Sequence, residues 1–253
     1  MTVALNRLVN HLNTLLQVDS FSESAINGLQ VQGKKQVSRI AFAVDGVLET
    51  FQRAVEGGAD LLIVHHGMYW GRQWALRGPD YQRVKTLMDA QLGLYAVHLP
   101  LDAHMELGHA ACLLRALGAQ SLEPFGFYKG QSLGAWGPIG ETHRDDLAQK
   151  LETLLGEPLK LLPFGPGKVR SVGCVTGQGA DFSLVREAKL KNVHFYISGE
   201  ANHPLYHYAK ENGVTVALGG HYRTEEFGIA ALRQYVAEQF ELETFYIDCP
   251  TGM

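Results

Sequence analysis

The sequence has no Cys-x-x-Cys pair, no hydrophobic leader, no run of apolar residues long enough to span a bilayer and no excess of basic charge. Each absence closes off a class of function. The three cysteines, Cys112, Cys174 and Cys249, are far apart in a chain of 253 residues. A thiolate zinc site and a thioredoxin-type redox pair are therefore unsupported, and the odd, sparse count fits a reducing compartment. Near the start, Asn6, Arg7, Asn10, His11 and Asn13 interrupt every apolar stretch, so no signal-peptide core is expected. No apolar segment approaches the ~20 residues that a membrane helix needs. These features predict a soluble, cytoplasmic protein with no membrane partner. Lys and Arg total 22 against 26 Asp and Glu, which argues against a nucleic-acid binder, since such a protein needs a basic face. Low-complexity tracts are absent too. What is present is apolar: 46% of residues are hydrophobic, enough for a substantial core.

The pattern of those residues is that of an α/β protein. Leu5, Leu8, Val9, Leu12 and Leu15 recur at helical spacing and predict an opening amphipathic helix. Asn27-Gly28-Leu29-Gln30-Val31 reads as a turn entering an extended segment. Short apolar strands follow at Ile40 to Val44, Leu61 to Val64 and Leu94 to Val97. Between and after them lie helical patterns through Leu48, Phe51 and Val55, through Tyr81, Val84 and Met88, and through Ala110, Leu113, Leu114 and Leu117. The second half repeats the alternation, with strands at Val169 to Val175, Val193 to Ile197 and Val214 to Leu218. Its helices run through Phe182 and Val185, through Leu205, Tyr206 and Ala209, and through Ile229, Leu232, Val236 and Phe240. Such alternation implies largely parallel sheets covered by helices. It fits an internal duplication of a strand-helix unit used three times in each half, and equally the alternation common to any α/β protein. Residues 121 to 168 are rich in Gly and Pro and read as a connecting insertion with one helix through Leu147, Leu151 and Leu154, capped by Thr142. The division is placed at 125/126, giving halves 1–125 and 126–253.

Three polar clusters fall just past strand ends: His65-His66-Gly67, His98-Leu99-Pro100-Leu101-Asp102, and Gly220-His221 through Glu225. Ligands of open α/β sheets bind outside the carboxyl ends of strands, and a strand end is rigid enough to hold a donor atom for a metal. His221 and Glu225, four apart near a helix start, share one face and can chelate together. Imidazole nitrogen with carboxylate oxygen suits zinc, iron, manganese, cobalt or nickel, and suits magnesium or calcium poorly. Adjacent side chains on an extended strand diverge, so His65 and His66 fit two metals better than one, with Asp102 or Glu225 bridging. Against this stand plainer roles: Asp102 as an N-cap for a helix near Met105, and Glu225 as a first-turn acid favoured by the helix dipole.

These blocks resemble the GTP cyclohydrolase 1 type 2 homologues, also called NIF-three-like dinuclear-metal-centre hexameric proteins. The matching residues are Asn27 to Val31, Gly58-Ala59-Asp60 running into His65-His66-Gly67, His98 through His104, Ile197-Ser198-Gly199-Glu200, and Gly220-His221 through Glu225, in family order along almost the whole chain. The resemblance implies two interleaved, duplicated α/β halves with mostly parallel or mixed sheets. It implies two divalent transition metal ions held by His65, His66, Asp102, His221 and Glu225, and a ring-shaped homohexamer with the metals facing an internal cavity. Tyr222-Arg223 departs from the family's His-Ala, and Arg223 can bind a substrate phosphate or face solvent. The family name implies GTP ring opening, yet fold and metals are inherited more readily than substrate.

Around the ligands, Glu200 and His98 are the candidate catalytic residues, as proton carriers or ligand-orienting groups. His104 is either a partner of the site or a helix-start residue. His203 and His207 have chelate spacing, and a cavity-lining role for His207 is the better expectation. Thr176-Gly177-Gln178-Gly179 sits between a strand and a helix, where it is either a phosphate cradle or a tight turn. The residues thus support two functions: a metal-dependent hydrolase acting with an activated water on a nucleotide, heterocycle or phosphoester, or a non-catalytic metal-binding scaffold, carrier or regulator.

Overall fold

A computed structural model describes residues 1–71 and 74–253. The chain forms two compact units, one of residues 1–101 and 229–249 and the other of residues 102–228 and 250–253. The changes of unit fall at Leu101/Asp102, Gly228/Ile229 and Cys249/Pro250, whereas the sequence pattern put a single division at 125/126.

The first unit is built on a five-stranded sheet in the order Glu243–Tyr246, Arg39–Asp45, Leu61–His66, Gly93–Ala96, Gly28–Val31. The first four strands are parallel and Gly28–Val31 is an antiparallel edge. The middle strands are buried on both faces: Leu61 to His65 and Gly93 to Ala96 are all buried. This is why they read as continuous apolar runs rather than alternating ones. Phe51 from the helix Leu48–Glu56 and Leu87 from Pro79–Asp89 pack on Leu62, Val64 and Leu94. Each side chain of that size stabilises the unit by about 2 kcal/mol when fully buried. The opening helix, Leu5–Leu15, buries Leu5, Leu8, Val9 and Leu12 as its spacing predicts.

The second unit carries a six-stranded sheet in the order Glu123–Tyr128, Gln131–His143, Lys168–Cys174, Phe195–Ser198, Thr215–Leu218, Lys160–Pro163. Its central three strands are parallel and its flanking ones antiparallel. The fold is therefore mixed α/β. Residues 121 to 168 are not a connecting insertion. They supply three strands, one of them 13 residues long, and the helix Arg144–Leu155 whose Leu147, Leu151 and Leu155 enter the core. Their glycines disguised this, because glycine weakens a strand signal while allowing close backbone approach. The cap of that helix is His143, whose Nδ1 accepts from Asp145 N, not Thr142.

Each sheet contains three parallel strands placed side by side in sequence order. The polar residues repeat with them. A His-x-x-x-acid segment follows the third strand in both, as His98 to Asp102 after Gly93–Ala96 and as His221 to Glu225 after Thr215–Leu218, each containing a four-residue helical turn. No helix among the described residues is long and apolar enough to cross a membrane.

Candidate metal centre

In the first unit the strand Leu61–His66 delivers two imidazoles to its carboxyl end. Adjacent side chains of an extended strand diverge, but these two rings lie 4.6 Å apart. His65 is held from just past the end of Gly93–Ala96, and His66 from the end of Arg39–Asp45. His65 Nδ1 bonds the carbonyl of Val97 at 2.9 Å, while His66 Nδ1 bonds Asp45 Oδ1 at 2.8 Å. His98 completes the group, its ring 5.0 Å from His65 and 5.6 Å from His66. One ligand atom from each of the three lies within 4.8 Å of the others.

Asn27 and the edge strand Gly28–Val31 that it enters support this group. Asn27 Oδ1 accepts from His98 N at 2.8 Å, and Asn27 Nδ2 donates to Glu23 at 2.8 Å. Glu23 in turn accepts from His98 Nδ1 at 2.5 Å. Burial pushes the Glu23 carboxyl upward, but its hydrogen bonds from His98, Asn27 and Leu99 N outweigh this and hold it below the usual range. Gln30 Oε1 accepts from Met68 N, pinning the turn that follows the histidines. Gly67 is needed there, because a Cβ would stand 2.3 Å from Gln30 Nε2 and 2.5 Å from Ala96 Cβ. Asp60, from the Gly58-Ala59-Asp60 block, does not join the donor group. It accepts from Lys34, from both Ser38 N and Ser38 Oγ, and from Arg39 N, so its work is to tie the strand's other end.

In the second unit His221 and Glu225 come together as their spacing predicts, with Nε2 3.2 Å from Oε1. His221 Nδ1 bonds Glu200 Oε1 at 2.7 Å, which makes Glu200 the residue that orients His221. The bond to Glu225 raises the His221 pKa; burial opposes it, Glu200 adds to it, and the result is about 9. The metal-free imidazole thus carries a proton, which a cation binding at Nε2 must displace. Thr176-Gly177 packs beneath this pair. Gly177 has φ +55°, and a Cβ on it would lie 2.2 Å from Glu225 Oε1 and 2.9 Å from His221 Nε2. Its N–H donates to Thr224 Oγ1 and its carbonyl accepts from Gly199 N and Glu200 N. The helix that follows, Phe182–Leu190, is capped by the carboxylate of Asp181. The Thr176 to Gly179 turn is accordingly a seat for His221 and Glu225, with its amide already bonded and an acid at the helix start.

Asp102 ends its helical turn rather than starting a helix. Its Oδ1 accepts from Thr176 Oγ1 at 3.3 Å, and a ligand atom of buried His109 lies within 4.8 Å of its carboxylate. His109 Nδ1 accepts from Gly228 N, so its proton sits on Nε2. His104 caps the turn that precedes the helix His109–Leu117 rather than starting that helix, its Nδ1 accepting from Glu106 N and Leu107 N. Arg223 neither faces open solvent nor stands ready for phosphate: it pairs with Glu157 at 2.8 Å and Glu226 at 3.0 Å. His203 and His207 line a separate cavity of about 380 Å³, with ring centroids 6.3 Å apart. Burial raises all three cysteine thiols, so none is an activated thiolate.

One regularity unites the four donor imidazoles. Carbonyl and carboxylate oxygens can only accept, so His65, His66, His98 and His221 all carry a proton on Nδ1, donated to Val97 O, Asp45, Glu23 and Glu200. In the neutral ring the lone pair is then on Nε2, which is how proteins fix a metal-binding histidine. This donor set fits a divalent transition ion. Asp45, Glu23 and His109 were not legible as site residues in the sequence. Asp45 alone left a signal, an acid ending the strand that pairs with His66.

A mixed α/β fold presenting anchored imidazoles and carboxylates at strand ends defines a protein equipped for metal binding. The chain belongs to the Duf34/NIF3 (NGG1p interacting factor 3) family, whose model matches residues 3–251. It is similar to proteins named GTP cyclohydrolase 1 type 2 homolog from Halobacterium salinarum, 43% identical over 97% of this chain and 98% of the relative, and from Deinococcus radiodurans, 39% identical over 99% and 95%. Among solved structures it resembles protein ybgI, described as of unknown function, with a TM-score of 0.91, and TTHA1606 of Thermus thermophilus, with 0.89. Both are 34% identical, over 99% of this chain and 100% of theirs.

Proposed function

We propose that the protein is a hydrolase that holds two divalent transition metal ions through His65, His66, Asp102, His221 and Glu225. The observation that carries this is the common anchoring of the imidazoles by Nδ1, which presents Nε2 from each ring. Such anchoring fixes ring orientation and raises donor basicity. When bound, a pair of such ions supplies Lewis acidity and a water of lowered pKa. The chain's own residues do the rest. Glu200 and Asp45 hold His221 and His66 in register and keep the proton on Nδ1, while Thr176 orients Asp102. His98, held by Glu23 beside His65 and His66, is the residue placed to carry a proton to or from substrate. The substrate class is a nucleotide, heterocycle or phosphoester. As the family resemblance implies, the working form is a cytoplasmic, ring-shaped homohexamer.

A second reading, a non-catalytic metal carrier or scaffold, is favoured by one observation: Glu200 and His98 are both engaged in holding or being held, which leaves no dedicated acid or base. The test is metal analysis by mass spectrometry of wild type and of His65→Ala and Glu225→Ala, with turnover measured on nucleotides and phosphoesters. Two ions per wild-type chain, fewer in each variant, and parallel loss of turnover are expected. Metal binding without turnover selects the scaffold, and a folded wild type that takes up no transition ion overturns both.

A further inference from the structure

The second unit carries a cavity in which the metal donors take no part, the space of about 380 Å³ beside His203 and His207. It lies at the carboxyl edge of the six-stranded sheet. Leu218 ends the strand Thr215–Leu218, and Lys160, which pairs with it, starts the antiparallel neighbour Lys160–Pro163. Asn202 and His203 follow the strand Phe195–Ser198. That edge is where open α/β sheets bind their ligands. The apolar lining comes from Leu162 and Leu205, both buried, and from Leu218 and Tyr206. Tyr206 packs against Phe164 and His207, each ring nearly perpendicular to its own at 5.1 and 5.4 Å, yet 43% of it is exposed. An apolar space of this size with a few polar groups is suited to a small molecule.

The polar lining favours an anion. It consists of Lys160, Asn202, His203 and His207, and among the described residues no carboxylate lines the cavity. An ammonium, an amide and two imidazoles all offer N–H donors. None of the four side chains makes a hydrogen bond or ion pair with another described residue. Their main chain, by contrast, is fixed: Leu205 N donates to Asn202 O at 3.1 Å and Tyr206 N to His203 O at 3.3 Å. The nearest acids along the chain are already engaged, Glu157 by Arg223 and Glu200 by His221. Lys210 and Glu211, further along the helix Leu205–Asn212, lie outside the lining and offset each other in charge. One ammonium with uncommitted donors beside an apolar wall is the complement of a single negative charge joined to an apolar body.

We propose that this cavity binds a small monocarboxylic acid, its carboxylate held by Lys160 with the donors of Asn202 and His203 beside it, and its hydrocarbon or aryl body against Leu162, Leu205 and Tyr206. A charge-assisted hydrogen bond from Lys160 supplies the recognition of charge, and burial of the apolar body supplies the rest. The site shares no residue with the proposed metal centre, and the inference does not rest on the hydrolase reading.

The test is a ligand-observed NMR titration of the full chain with hydrocinnamate, which joins one carboxylate to an apolar ring. Hydrocinnamyl alcohol keeps the ring without the charge, while acetate and inorganic phosphate keep charge without the ring. Each is titrated into the protein as purified and after chelator treatment, because a carboxylate can also ligate a metal ion. Hydrocinnamate is expected to bind wild type at millimolar concentration or below, with or without chelator. It should bind Lys160→Arg and Lys210→Gln nearly as well, and Lys160→Gln about tenfold more weakly. The alcohol should bind wild type about tenfold more weakly than the acid, and neither acetate nor phosphate should displace hydrocinnamate at equal concentration. The proposal is overturned if hydrocinnamate does not bind at millimolar concentration or if chelator abolishes its binding, which would move the carboxylate to the metal. It is equally overturned if Lys160→Gln binds as wild type does, if Lys210→Gln weakens binding as much as Lys160→Gln, or if the alcohol, acetate or phosphate competes on equal terms.

Discussion

Replacing Gly177 by alanine tests the geometry of the His221 and Glu225 pair, because the three nearest atoms that the new methyl group would meet all belong to those two side chains. The added Cβ would stand 2.2 Å from Glu225 Oε1, and ordinary contact begins at 3.4 Å, so the carboxylate oxygen must retreat by about 1.2 Å. Glu225 is buried, with its side chain 4% exposed, so the retreat takes it off His221 Nε2 rather than into solvent. Metal–ligand distances tolerate only about ±0.2 Å. The φ of +55° costs alanine roughly 1–2 kcal/mol, of which about 0.4–1 kcal/mol is offset by the lower entropy of the unfolded chain. The variant should therefore fold, melt a few degrees lower, and bind metal at least tenfold more weakly at the site that His221 and Glu225 serve. Zinc competition against a chromophoric chelator measures the affinity, and thermal melting of the metal-free protein measures the fold. Unchanged affinity and stoichiometry in Gly177→Ala would refute the assignment of this pair as ligands.

The fold was legible wherever burial imposed a simple period. Leu61 to Val64 and Phe195 to Ile197 are buried on both faces of parallel sheets, so their sequences are unbroken apolar runs. The strands of residues 123 to 163 lie at sheet edges or in hairpins, with Gly126, Gly134 and Gly137 where backbones or side chains pack close, and these features erased the signal. The positions of His65 and His66 at a strand end and the pairing of His221 with Glu225 could be read because strand-end position and i, i+4 spacing are local properties. Their supports could not. Glu23 reaches His98 across 75 positions and Asp45 reaches His66 across 21, and single-chain spacing says nothing about such pairs. The same limit hid the closeness of the His65 and His66 rings, whose acceptors are Val97, just past one neighbouring strand, and Asp45, at the end of another. It also hid the pairing of Arg223 with Glu157, 66 positions away.

Asp45→Ala removes the acceptor of His66 Nδ1 and should weaken metal binding about 10- to 100-fold with the fold intact; affinity equal to wild type in the same chelator competition would deny Asp45 a part in the centre. Gly67→Ala drives a methyl into Gln30 and Ala96 and should cost ~1–3 kcal/mol of stability in urea unfolding; a wild-type midpoint would show that the close approach is not there. Stability is also expected to depend on pH through Asp60. Burial raises the Asp60 carboxyl, but bonds from Lys34, Ser38 and Arg39 N more than reverse this and lower its pKa from 3.8 to about 2. A carboxyl whose folded pKa is depressed stabilises the fold above its unfolded pKa and loses that contribution as pH falls through the folded value. That lowering corresponds to roughly 2–2.5 kcal/mol. Asp60→Asn should therefore be about 2 kcal/mol less stable than wild type near neutrality. The gap should narrow as pH falls from 3.8 toward about 2, because only wild type loses an ionised partner for Lys34. Paired denaturant titrations across that window measure it, and a gap that is as wide at the acid end as at neutrality would mean the difference comes from packing and not from the ionised carboxylate.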